Sequence, residues 1–411
     1  MTIALLSIGT ELTRGELVNS NASWLADQLV TLGHEVTEIV TADDDDGRIV
    51  QTLLRLADVH TAVISTGGLG PTTDDLTTAC AAHALGVELV RDARSLMRIE
   101  GLFAARNIAM QPSNAKQADF PAGALVLDND LGTAPGFAIE LSGCRAFFTP
   151  GVPSEMRAMF DGRIAALLPA PEAVVAVRKL RTYGMSESKV NDLLAGIEEE
   201  HAVTIGYRAS HSEIEVKVLA RRRSAETDEE TAARAEQVKN LVRARLGDIV
   251  YSEGSTTLPA VLGQLLLKKR MSLALAESCT GGLVSELVTQ VPGASAYYQG
   301  GVCSYSNGSK TALLGVPAAL IDEHGAVSEP VALAMARGAQ RAFGADVALA
   351  VTGIAGPSGG TSEKPIGLVH WAVAFGDSLV HESRVFSGDR SQIQRRAALS
   401  GLWSVRRALL G

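Results

Sequence analysis

Short apolar runs recur along this 411-residue chain, each followed by a stretch with helical spacing, and this alternation narrows the possible folds most. IALLSI (3–8), EVTEIV (35–40) and TAVIS (61–65) read as strands between helical patterns at 20–32 and 49–57. Gly33 stands where a helix C′ residue belongs. The third run enters the glycine-rich turn 67–70, and a helix is predicted to start at Asp74 or Asp75. Strand-helix alternation predicts a mostly parallel sheet with helices on both faces. The pattern returns near the C-terminus. Helices are expected at 259–269, after Gly281, at 330–343 and at 391–409. Strands are expected at 272–276, 301–305, 346–351, 367–375 and 379–386. In between, a strand at 174–181, a helix at 186–197, the strictly alternating EIEVKVLA (213–220) and a charged helix at 227–246 suggest a small connecting module. The expected class is α/β. Residues 1–168 form a three-layer parallel-sheet domain, 169–253 an α+β connector, and 254–411 a second three-layer domain after the polar turn 254–259.

Composition agrees with layered packing. Hydrophobic residues make up 46% of the chain but aromatics only 4%, so small side chains let helices sit close on a sheet. No uncharged run of 18 apolar residues occurs, which predicts no membrane span. MTIALLSIGTEL lacks a basic leader and a cleavage site and reads as a first strand rather than a signal peptide. Cys80, Cys144, Cys279 and Cys303 fit no metal spacing, and free thiols in a reducing cytoplasm are expected. Net charge is −9, with about −10 on residues 1–168, −1 on 169–252 and +2 on the remainder. An acidic front domain matches a nucleic-acid backbone poorly and tolerates divalent cations. The basic triplet 221–223 reads as a solvated strand end, because acids follow at 226–230.

The turn STGGLGPTTDDLT (65–77) carries readable chemistry. Glycines permit positive φ, and the freed N–H groups can face a phosphate. Asp74 and Asp75 offer hard oxygen ligands for a divalent ion. Glu11, Asn19 and Asn21 follow the first strand and belong to the same C-terminal sheet edge, where open α/β folds bind ligands. The alternative is a capped helix with Asp74 as N-cap. Asp43–Asp46 could also hold metal, although an exposed acidic turn is the commoner outcome of such a run.

Three segments near the C-terminus carry a sharper signal: AESCTGG (276–282), SYSNGSK (304–310) and TGIAGPSGG (352–360). Ser278 is expected where a strand ends and a helix begins, with N–H groups around Thr280–Gly282 available for an oxyanion. A serine hydroxyl needs a base. The only histidine near these motifs is His324, so Lys310 is the better candidate. Burial beside 312–316, or a neighbouring cation such as Arg395, would lower its pKa toward a useful range. Tyr305 could relay the proton. Cys279 is the rival nucleophile, but alternation along a strand turns it to the core if Ser278 faces the pocket. Glycine-rich packing turns could explain any one segment. They explain polar side chains at three strand ends less well.

GTELTRGELVNSNASWLA, STGGLGPTTDDLT, LGTAPG (131–136) and PGVPSEM (150–156) resemble the front domain of the CinA family, which is similar to the molybdopterin-binding fold. AESCTGG, VPGAS, YSNGSK, EHGAVSEP, TGIAGPSGGTSEKPIG and FSGDR resemble its nicotinamide-nucleotide amidase domain across nearly all of 258–409. The resemblance implies hydrolysis of the carboxamide of nicotinamide mononucleotide by Ser278, Tyr305 and Lys310, with Ser295 a second polar group near them. Thr280, Gly281, Gly282, Thr352, Gly353 and either Arg390 or Arg395 would contact substrate. Gln394 stands where the family often has a basic residue, which leaves the phosphate-binding arginine open. No metal or cofactor is implied for this step. For the front domain the resemblance implies nucleotide binding by Glu11, Asn19, Asn21, Gly67, Gly68, Asn114, Lys116 and Glu155. It allows an ADP-ribose pyrophosphatase activity with Mg or Co at Asp74 and Asp75. The implied protein is a cytoplasmic homodimer acting on small nucleotides, without membrane or nucleic-acid partners. A non-enzymatic role as a competence or damage-inducible partner is the alternative.

Overall fold

The computed structural model describes residues 2–171 and 175–411. Met1 and Val174, the first residue of the strand expected at 174–181, lie outside the described residues. The chain forms two compact units: residues 1–176 with 221–232, and residues 177–220 with 233–411.

In the first unit, β1 (Thr2–Ile8), β2 (Glu35–Ala42) and β3 (Ala62–Thr66) precede a small antiparallel ribbon of β4 (Leu89–Arg91) and β5 (Asp119–Pro121). Then come β6 (Leu125–Leu127), β7 (Gly136–Leu141) and β8 (Cys144–Thr149). The main sheet has the order β2-β1-β3-β8-β7-β6. Its first four strands are parallel; β7 and β6 add an antiparallel edge. Alternation along β1 explains the three layers. Ile3 and Leu5 pack with Leu25 and Leu29 of the helix Ser20–Thr31. Ala4, Leu6 and Ile8 pack on the other face with Ile49, Leu53 and Leu56 of the helix Asp46–Val59. Each isoleucine or leucine among them removed from water contributes about 1.5–3 kcal/mol.

The helix after the glycine-rich turn starts at Thr77, later than expected. Asp74 does not cap it. The side chain of Asp75 instead accepts from the backbone and hydroxyl of Thr72, which closes a separate loop.

The second unit begins with a four-stranded sheet. β9 (Val175–Tyr183), β10 (Thr204–Ser210), β11 (Glu213–Arg221) and β12 (Val250–Glu253) take the order β10-β11-β9-β12. β10 and β12 were not expected from the pattern. β10 pairs with β11 through a two-residue loop, His211 and Ser212, both with positive φ (51° and 82°). That is the backbone of a type I′ hairpin, made here without the usual Asn-Gly or Asp-Gly signal. The helix expected at 186–197 is two, Glu187–Leu193 and Ile197–His201, interrupted at Gly196 with φ 84°.

The last sheet contains β13 (Leu273–Glu277), β14 (Tyr298–Cys303), β15 (Val347–Gly353), β16 (Leu368–Phe375) and β17 (Ser378–Val385), in the order β14-β13-β15-β16-β17. β14, β13 and β15 are parallel; β16 and β17 are antiparallel. The two faces differ in bulk. Leu273, Leu275, Val347, Leu349 and Val351 meet the helices Leu258–Lys269 and Arg390–Leu410. Ala274, Ala276, Ala348 and Ala350 meet Ala332, Ala336 and Ala339 of the helix Glu329–Phe343, where alanines on both surfaces permit close approach. Two further helices, Asn307–Leu314 and Ala318–His324, follow β14 where none was expected. No helix among the described residues is long and apolar enough to cross a membrane.

Both three-layer sheets share one topological feature. β1 is followed by a strand on one side and then by one on the other, and so is β13. The crossovers leave in opposite directions, which opens a crevice at the C-terminal strand ends between β1 and β3, and between β13 and β15.

Candidate functional site

The second crevice is a small cavity of about 190 Å³ lined by Ser278, Cys279, Tyr305, Lys310, Ala326, Val327, Thr352, Gly353, Ala355 and Arg390. Ser278 is the first residue beyond β13, and its N–H donates to Val351 O of β15. Lys310 lies on the first turn of the helix Asn307–Leu314, whose N-terminus is fixed by a Ser306–Ser309 capping box. Its side chain is 1% exposed. Nζ lies 3.0 Å from Ser278 Oγ, 2.8 Å from Ser304 O and 3.4 Å from Tyr305 O. Nζ donates to all three oxygens as an ammonium; once neutral, it can keep two N–H groups on the carbonyls and turn its lone pair to the serine hydroxyl. Among the described residues no carboxylate pairs with Lys310. Burial therefore holds its pKa below that of an ordinary lysine. The expected neighbouring cation is not the cause.

Cys279 points the other way, into the core with Leu275 and Val284. Burial pushes its thiol up to about 12, so almost no thiolate exists near neutral pH. Cys279→Ala is accordingly expected to keep most of the activity proposed below while melting slightly earlier. Loss of turnover on a scale matching the serine variant would make sulfur the nucleophile.

The turn after Ser278 is held by a residue the sequence reading missed. Glu277, 1% exposed, accepts from the N–H groups of Gly282, Val284 and Ser285 and from the Ser285 hydroxyl. An acid closing the apolar strand LALAE was the available signal. This network changes the expected oxyanion donors. Gly282 N–H is bound to Glu277, and Gly281 N–H to Ser278 O. Among the described residues, the N–H groups of Cys279 and Thr280 have no acceptor. Thr280 itself is buried away from the cavity, its hydroxyl without a partner.

Tyr305 is 60% exposed, and its hydroxyl accepts from Arg390 at 2.8 Å rather than bridging Lys310 and Ser278. The expected proton relay is absent from this arrangement. Arg390 also donates to Gly356 O and stands at the cavity mouth. Arg395 does not; it lines a different cavity. Gln394 donates to Cys279 O and so braces the turn after Ser278. Thr352 pins the loop carrying Ala326 and Val327 by donating to Ala326 O. Ser295 is not brought to the site: it is exposed on the turn Ala294–Ala296, ahead of the N-terminal end of β14.

The first crevice is larger, about 560 Å³, and brings together Glu11, Asn19, Asn21, Gly67, Gly68, Asp74, Asp75 and Glu155. Gly67 is required there: its φ is 106°, and a Cβ would lie 2.1 Å from Ile8 O. Asn114 and Lys116 are not on its wall. Lys116 instead donates to Thr72 O and Asp75 O and ties down the acidic loop. Gln117 is there in their place, and its Oε1, like Asn21 Oδ1, is a buried acceptor without a partner. Among the described residues no three His, Cys, Asp or Glu side chains converge as metal ligands. The residues therefore do not form a metal centre of their own. Asp43–Asp46 are engaged locally: Asp43 with Arg48, Asp44 with Thr10, Asp45 as a helix cap, and Asp46 with Cys80.

Three family models match the chain in sequence: "Probable molybdopterin binding domain" over residues 4–170, "Damage-inducible protein CinA KH domain" over 177–252, and "CinA C-terminal domain" over 255–409. A CinA-like protein of Geobacter sulfurreducens is 43% identical, covering all of both chains. A putative competence-damage inducible protein of Symbiobacterium thermophilum is 41% identical over 100% of this chain and 99% of its own. A solved structure of the protein CinA with unknown function from Thermoplasma acidophilum is 30% identical, with TM-score 0.38 over 41% of this chain and 98% of that one. Full-length similarity at this level, with all three domain families in the same order, shows that the chain belongs to the CinA family.

Proposed function

We propose that the last domain hydrolyses the carboxamide of nicotinamide mononucleotide to nicotinate mononucleotide and ammonia. The observation that carries this reading is a buried lysine without a carboxylate partner, 3.0 Å from a serine hydroxyl at a ligand crevice. A buried amine with a lowered pKa can serve as a base, and Ser-Lys pairs are one of the arrangements that cleave amides.

Ser278 Oγ attacks the amide carbon as Lys310 Nζ takes its proton. The N–H group of Cys279, whose residue lines the cavity, receives the oxyanion. When the tetrahedral intermediate collapses, the C–N bond breaks and Lys310 returns its proton to the leaving nitrogen, which departs as ammonia. Water then attacks the acyl ester, Lys310 accepting one of its protons and passing it to Ser278 Oγ as the ester C–O bond breaks; the other proton leaves to solvent as the acid ionises to the carboxylate. Tyr305 forms a wall for the pyridine ring, and Arg390 takes the phosphate at the mouth.

Ammonia release from nicotinamide mononucleotide by the purified chain tests the reading. A stable protein partner in pull-downs, with no turnover, would favour a non-enzymatic role. Arg390→Ala is expected to raise KM about tenfold or more with a smaller effect on kcat, as loss of a charge-assisted contact made equally in ground and transition states should. An unchanged KM would remove Arg390 from phosphate binding.

A second reading concerns the first crevice. The glycine turn and the unpartnered acceptors of Asn21 and Gln117 support binding of a nucleotide with several hydrogen-bond donors. An ADP-ribose pyrophosphatase activity there would require a metal held largely by the substrate's own phosphates.

A further inference from the structure

The second unit holds a third cavity, of about 630 Å³, between the β10-β11 hairpin and the helices Leu283–Thr289 and Arg390–Leu410. Neither of the sites described above uses it. Its polar wall is unbalanced. Arg181 and Arg208 both reach Glu215 Oε2, at 3.3 and 3.0 Å. Arg395 has no hydrogen-bond or ion-pair partner among the described residues. Glu215 is only 6% exposed; its Oε1 has the Lys217 ammonium 3.7 Å away but accepts no hydrogen bond, and Arg181 Nε is buried without a hydrogen-bond acceptor. Buried polar atoms left this way are costly unless something else completes them. Pro259, Leu287, Val291 and Leu399 supply an apolar side.

We propose that this cavity is a binding site for a sugar phosphate, with Arg395 taking the phosphate and Glu215 Oε1 accepting from a ribose-type hydroxyl. A guanidinium without a counter-charge among the described residues calls for an anion, and a buried carboxylate oxygen that has a cation nearby but no hydrogen bond has room for a donor. A phosphate ester of a polyol carries both on one small molecule, and a base or other flat group attached to it would lie on the apolar wall. The site has a physical link to the amidase cavity. Arg390 and Gln394 reach the Ser278 region, while Arg395 and Leu399 of the same helix face the third cavity.

Ribose 5-phosphate is the probe, titrated into the full chain with hydrogen exchange read peptide by peptide. Protection is expected at 208–215, 287–291 and 395–399. Arg395→Ala should weaken the probe's Kd by about tenfold or more, and Glu215→Gln should weaken it with Arg395 intact. Ser278→Ala should leave the protection unchanged, so this result is independent of the amidase reading. Protection confined to the other two crevices, or equal protection in wild type and Arg395→Ala, would overturn the assignment.

Discussion

Ser278→Ala is expected to lower ammonia release from nicotinamide mononucleotide by about 10³-fold or more, with the fold intact. Among the described residues that line the small cavity, this hydroxyl stands against a buried amine and next to the unengaged backbone N–H of Cys279. In the proposed mechanism its removal abolishes the acyl intermediate rather than weakening binding, so the loss should fall on kcat and leave substrate affinity nearly unchanged. Only Oγ is deleted from a residue that is 8% exposed and whose backbone is fixed by the bond to Val351, so melting should change little. An alanine variant retaining a tenth of wild-type turnover would remove Ser278 from the role of nucleophile.

Lys310→Met is expected to separate activity from stability. Turnover should fall by about 10²–10⁴-fold, the range for loss of a general base. Melting should stay level or rise, because a buried amine without a carboxylate partner gives way to an apolar chain of similar length. The pH dependence follows from the direction of the shift. Burial disfavours the ammonium, so the folded protein releases this proton at lower pH than free lysine. The amine acts as a base only when neutral. kcat/KM should therefore climb with pH and level off above the lowered pKa, with its midpoint below the ordinary lysine value of about 10.4. Stability has the same sign: the unfolded chain holds this proton to higher pH, so the group's penalty is fully present below the folded pKa and fades as pH rises through the interval. A wild-type profile flat from pH 6 to 10, or one unchanged in Lys310→Arg, would mean that another group takes the proton.

The sequence by itself determined the layering and the short list of chemistry. Period-two runs of large and small apolar residues, separated by helical patterns, fix which side chains enter a core, since burial depends on local alternation. The glycine turns, Ser278 and Lys310 were legible because unusual residue types stood near strand ends, whereas Arg390 was named only through the family resemblance and with Arg395 as its alternative. The inward turn of Cys279 was legible for the same local reason. Tertiary structure alone decided how these groups meet. That Gln394 and not Arg395 braces the turn after Ser278 depends on which face of the helix Arg390–Leu410 meets that turn. The assignment of Tyr305 to Arg390 and the distance of Ser295 from the cavity depend on how segments far apart in sequence come together. A hydrogen bond is directional and local in space, so residue order along the chain cannot state its partner. Glu277 shows the difference: its letter marks an acid at the end of an apolar strand, and only the folded turn supplies the four donors that justify burying it there.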